Sequence, residues 1–138
     1  APAANAGELS DPFVTTKPYW LLARTLCAGT DSAVVVLVNR DTTSDRVGSV
    51  YQPIDKATLT IKPPAWLDDK TIHPYRLRNM QLIDVPISGD GQAMQVVLDH
   101  VELGEMLLLT KDPQKAAKIR QQLDALRPRL ANVIANPP

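Results

Sequence analysis

Hydrophobic and polar residues alternate in short runs along most of this chain, and only its C-terminal end changes to a helical period. Ala33-Val34-Val35-Val36-Leu37-Val38 is continuous, β-branched and short, the pattern of a central strand covered on both faces. Ala57-Thr58-Leu59-Thr60-Ile61-Lys62 alternates, so Ala57, Leu59 and Ile61 face a core while Thr58, Thr60 and Lys62 face out. Pro63-Pro64 ends that strand, and Ala65-Trp66-Leu67 drops an aromatic onto the end of the core. Upstream, residues 1–14 read as a tail. Tyr19 to Ala28 predicts the first ordered element, a strand, with a short helix as the alternative.

Tyr75–Arg78 and Met80–Ile87 predict two further strands, the second with Ile83, Val85 and Ile87 on one side. Ser88-Gly89-Asp90-Gly91 is hairpin-turn chemistry. The chain should return through Ala93–His100 with Met94, Val96 and Leu98 inward, and Glu105–Thr110 closes the β region. Between Asn39 and Asp55 the chain is long and polar, a loop with a short edge strand around Val47–Tyr51.

Asp112-Pro113 starts a helix: the aspartate caps free amides, and proline sits in the first turn, where its missing donor costs nothing. Ala116, Ile119, Leu123 and Leu126 fall on one stripe, which should pack on the sandwich or on a neighbouring domain. Pro128 is expected to kink the helix or to start a second one through Ile134. Many short strands followed by a helix, without βαβ alternation, predict a mainly β fold. The expected architecture is an antiparallel two-sheet sandwich, immunoglobulin-like or Greek-key, with a C-terminal α-helix. The expected division is a tail over 1–14, the sandwich over 15–111 and a helical segment over 112–135 packed on it.

Composition narrows the function classes. A chain of 138 residues fits one domain and can bury a core without staples. Fifteen basic and fifteen acidic residues cancel, which disfavours nucleic acid as a partner. Twelve prolines argue against an all-helical fold. No apolar run is long enough for a bilayer span, so no membrane insertion is expected. Cys27, the single cysteine, can form no intrachain disulfide and is expected as a small buried strand residue. The small residues of Ala1–Gly7 resemble a linker or a mature N-terminus left by export, which suggests an extracytoplasmic (periplasmic or secreted) location.

Few residues of the chain are patterned for chemistry. His73 and His100 would each need further ligands to hold a metal, and none is expected. Asp68 with Asp69, Asp41 with Asp45, and Asp99 with Glu102 are the carboxylate pairs that could act as acid and base. The Asp41–Asp45 loop lacks the dense ligand spacing of a calcium loop. No phosphate-binding, dinucleotide or nucleophile motif occurs, so neither a catalytic residue nor a cofactor is expected. Aromatic side chains stack on sugar rings, but only Phe13, Tyr19, Trp20, Tyr51, Trp66 and Tyr75 are present. Tyr51 and Trp66, with Asp41 and Asp45, are the candidate ligand-binding residues.

The runs Ala33–Asp41, Ala57–Leu67 and Val96–Thr110 resemble the C-terminal β-sandwich domains of large multidomain glycoside hydrolases. The resemblance implies a non-catalytic accessory module whose catalytic domain lies upstream in the same polypeptide and is its partner. It carries no catalytic residue over. Two other readings stand beside it: a carbohydrate- or other ligand-binding module, and a protein-interaction domain acting through the basic face of the C-terminal helix.

Overall fold

A computed structural model describes residues 11–44, 49–63, 65, 67, 72–88 and 93–136. The chain forms the expected two-sheet antiparallel sandwich with a C-terminal helix. Its elements are β1 (Val14–Lys17), β2 (Leu21–Cys27), β3 (Ser32–Asn39), β4 (Thr42–Ser44), β5 (Ser49–Tyr51), β6 (Ile54–Ile61), β7 (His73–Arg78), β8 (Gln81–Asp84), β9 (Ile87–Ser88), β10 (Met94–Val101), β11 (Gly104–Thr110) and α1 (Pro113–Ala135). One sheet has the order β1-β6-β10-β9 and the other β2-β3-β11-β7-β8; β4 and β5 form a separate two-stranded pair.

The strands follow from their residues. Val35 and Leu37 in β3, Ala57, Leu59 and Ile61 in β6, Val96 and Leu98 in β10, and Leu107 and Leu109 in β11 all lie between the sheets, essentially free of solvent. β3 is central, paired with β2 and β11. The turn after Ser88 lies outside the described residues, but Ile87 opposite Val96 and Ser88 opposite Gln95 make the expected hairpin pairing.

Four expectations are corrected. A strand, β1, precedes Tyr19 and pairs with β6 along Val14–Lys17. Asp11 holds it: its carboxylate accepts from the amides of Phe13, Val14 and Thr25 and from the Thr25 hydroxyl. A single side chain thereby ties β1 to β2, which a short, threonine-rich segment does not advertise. Cys27 is exposed at the end of β2, where the strand runs past the core. Met80–Ile87 is not one strand: β8 pairs with β7, Pro86 interrupts, and β9 joins the other sheet. Proline lacks the donor a ladder requires, so the chain changes sheets there. Ile83 and Ile87 are exposed as a result, while Leu82 and Val85 are buried.

The fourth concerns α1, which continues unbroken through Pro128. Asp112 caps it as expected, accepting from the Gln114 amide at 2.9 Å. Lys115 fastens its first turn to the β2–β3 connection through the Ala28 carbonyl (3.0 Å), Asp31 (2.6 Å) and Ser32 (3.2 Å). Ala116, Ile119 and Leu123 cover Tyr75, Leu82 and Leu108 on the outer face of the five-stranded sheet. Leu126, the last residue of the expected stripe, is exposed.

Candidate functional site

Of the four candidate ligand residues, Asp45 and Trp66 lie outside the described residues, as does the side chain of Tyr51. Asp41 and Tyr51 bound the small β4–β5 hairpin, with Tyr51 opposite Thr42. The hairpin leaves the sandwich at a fixed point. The buried Asn39 side chain donates to the carbonyls of Gln52 (2.7 Å) and Glu102 (2.8 Å) and accepts from the Asp41 amide (3.0 Å). The Gln52 amide returns to the Asp41 carbonyl at 2.7 Å. Asp41 and Tyr51 are thus brought to the two ends of one short hairpin.

Among the described residues, a dense polar constellation gathers around Arg76, a residue that sequence patterning does not single out. Arg76, in the middle of β7, lies opposite Leu107 and points between the sheets. Its Nε donates to Glu105 on β11, whose side chain is only 4% exposed. Its terminal nitrogens donate across the sandwich to β10, reaching Asp99 Oδ1 (2.8 Å) and the carbonyls of Asp99 (3.1 Å) and His100 (2.9 Å). Arg78 adds a second guanidinium to the His100 carbonyl at 2.9 Å. His100 has a φ of 56°, in the left-handed region that L-residues enter at a cost. This backbone turn aims its carbonyl at both arginines. The His100 ring faces Glu102 at 3.3 Å.

This constellation is an internal strap rather than a ligand site. The Arg76 donors face carboxylates and carbonyls of its own chain, so an incoming anion finds its guanidinium engaged. Burial pulls the Arg76 guanidinium down from its ordinary value while Asp99 opposes that shift, and arginine stays charged throughout. The hydrogen bond from Arg76 holds Asp99 below the ordinary aspartate range. At the other end of the sandwich, Lys115 and then Ser32 do the same for Asp31. Both folded-state values lie below the unfolded ones, so the stability they add is full at neutral pH. It is lost as the pH falls through the folded values. In urea titrations from pH 7 to pH 2, the midpoint should therefore fall once the pH drops below about 4. An Asp31→Asn/Asp99→Asn variant should show a shallower acid decline. An unchanged slope would refute the assignment.

The other chemical candidates separate. Asp99 is engaged by Arg76 and Glu102 sits beside His100, so the pair does not form an open acid–base dyad. Asp68 and Asp69 lie outside the described residues. His73 lies 3.2 Å from Asp84 at the β7–β8 edge and edge-on to Tyr75. Among the described residues, no three histidine, cysteine, aspartate or glutamate side chains are grouped to hold a metal. A shallow cleft of about 230 Å³ lies between β8 and α1, lined by Gln81, Leu82, Ile83, Arg120, Asp124 and Arg127. Arg120 there donates to the Leu82 carbonyl and lies over the Tyr75 ring.

The sequence matches no protein-family model and no curated protein. Among solved structures it is similar to the alpha-L-fucosidase isoenzyme 2 of Paenibacillus thiaminolyticus, at 12% identity and a TM-score of 0.54. The likeness covers 72% of this chain and 15% of that one. At this identity it shows a shared fold, and the chain spans a small part of the length of the protein it matches.

Proposed function

We propose that this chain is a non-catalytic β-sandwich module of a larger carbohydrate-active protein. The observation that supports the reading is the fold likeness to a 15% share of a fucosidase chain, a span of one domain's size within a much longer polypeptide. The internal use of Arg76, Glu105 and Asp99 agrees with it, since the most elaborate polar cluster in the sandwich joins its sheets. In this reading the partner is an upstream domain of the same polypeptide and the location is extracytoplasmic.

The test has two arms. The isolated chain is offered a panel of aryl glycosides, α-L-fucoside included, and a glycan array. Neither turnover nor saturable binding is expected. The second arm deletes this segment from its encoded polypeptide, which should lower the melting temperature of the remaining catalytic domain. Turnover by the isolated chain would overturn the reading. Saturable glycan binding abolished by Tyr51→Ala would replace it with that of a ligand-binding module using the β4–β5 hairpin.

A further inference from the structure

The helix α1 is longer than the surface it covers. At about 1.5 Å per residue its twenty-three residues span roughly 35 Å, while a strand of β11's length spans roughly 23 Å. It starts beside the end of β11 and passes the turn after β7, where Arg127 donates to the Met80 carbonyl at 3.1 Å. The remaining turns run past that contact. Leu126 (43%), Leu130 (42%), Val133 (54%) and Ile134 (80%) are all exposed there.

The spacing of these residues is specific. Ala116, Ile119, Leu123, Leu126, Leu130 and Val133 recur in alternating steps of three and four, the narrow seam on which helices pair. The sheet covers the first three and leaves the last three open. Pro128 falls on the side of the helix away from the seam, where its ring does not obstruct a partner. On the positions flanking the open part of the seam stand Arg127 on one shoulder, which also donates to the Met80 carbonyl and to Asp124, and Arg129 on the other; Arg120 lies beside the covered part and holds the Leu82 carbonyl. Over its whole length the helix carries Lys115, Lys118, Arg120, Arg127 and Arg129 against Asp124 alone.

Other routes to a partner are less open. On the β2 edge, Thr16 donates to the Leu21 carbonyl, Arg24 to the Ala23 carbonyl, and the Thr25 amide is held by Asp11. On the β8 edge, Arg120 occupies the Leu82 carbonyl. Side chains thus blunt both edges of the five-stranded sheet against strand addition.

We propose that the C-terminal half of α1 is a docking seam for an amphipathic helix with an apolar stripe and acidic shoulders. A second copy of this helix would set arginine shoulders against arginine shoulders. Glutamate or aspartate shoulders complement them. The proposal goes beyond the accessory-module reading and stands without it.

The probe is a fluorescein-labelled synthetic helix with leucine at every seam position and glutamate at every shoulder. A matching peptide with lysine shoulders is the control. Anisotropy titration of the full chain should give saturable binding of the glutamate peptide and roughly tenfold weaker binding of the lysine peptide. Leu130→Ser/Val133→Ser should weaken binding roughly tenfold with the far-ultraviolet spectrum retained, since both positions are exposed. Arg129→Glu should narrow or reverse the preference between peptides. Equal binding of both peptides, no binding of either, or indifference to the serine substitutions would overturn the proposal. So would sedimentation showing a dimer that the serine variant dissolves, or binding to anionic phosphatidylglycerol vesicles in place of the peptide.

Discussion

Replacing Arg76 by methionine is expected to cost about 3–5 kcal/mol of unfolding free energy. The reason lies less in the lost ion pair than in what remains. The Glu105 side chain is 4% exposed and pairs with Arg76, so the variant leaves a carboxylate between the sheets without the guanidinium that pairs with it. Asp99 loses the same partner but is exposed, and water replaces the guanidinium there. Removing both buried charges, as Arg76→Met/Glu105→Leu, should recover more than half of the loss, because an apolar pair of similar volume needs no desolvation. In the single variant, the buried Glu105 carboxyl should titrate above its unfolded value. Its penalty should then grow as the pH rises through the ordinary carboxylate range and shrink in acid. Urea unfolding of the three proteins at pH 7 and pH 4.5 reads all of this. A single variant that loses under about 1 kcal/mol, or a double variant no better than the single, would remove Arg76 from its role.

That strap also marks the limit of what patterning reveals. In Tyr75-Arg76-Leu77-Arg78 an alternating reading puts the arginines toward water and the apolar residues toward a core. The outer face of this sheet has a second core under α1, so Tyr75 and Leu77 are covered by the helix and Arg76 turns between the sheets. Its partners lie 29 and 23 residues away in sequence, on two strands of different sheets. No local period records such a contact. The readable parts were those where one element's own residues decide the outcome: the β-branched run of β3, the alternation of β6, the inward Val96 and Leu98, and the Asp112-Pro113 cap. The parts that were not readable depend on partners. β1 is four residues tied down by Asp11, β8 and β9 divide at Pro86, and α1 passes through Pro128. Among the candidate ligand residues, patterning placed Asp41 and Tyr51 in one polar, local segment, and that segment forms the β4–β5 hairpin. It gave no hint that Asn39, the last residue of the apolar β3 run, anchors that hairpin.

Substituting Asn39 with aspartate should cost about 2–4 kcal/mol at pH 7 and more than substituting it with alanine. The Asn39 amide nitrogen lies between two carbonyls, Gln52 at 2.7 Å and Glu102 at 2.8 Å, with 2% of the residue exposed. Alanine removes the donor and leaves those carbonyls short of a partner. A carboxylate does worse, because it places negative charge against two carbonyl oxygens and keeps only the bond from the Asp41 amide. The introduced carboxyl is held above its unfolded pKa by burial and by the facing carbonyls. The stability it retains is therefore greatest in acid, where a proton lets it donate to one carbonyl, and is lost as the pH rises. Asn39→Asp should accordingly approach Asn39→Ala below about pH 4 and fall behind it at neutrality. Amide exchange at Gln52 should quicken in both variants, since Asn39 ties the exit of the β4–β5 hairpin to the turn between β10 and β11. If the two variants keep the same gap at pH 4 and pH 7, the Asn39 nitrogen is not the donor to these carbonyls. The hairpin that carries Asp41 and Tyr51 would then be anchored by the backbone pair of Asp41 and Gln52 instead.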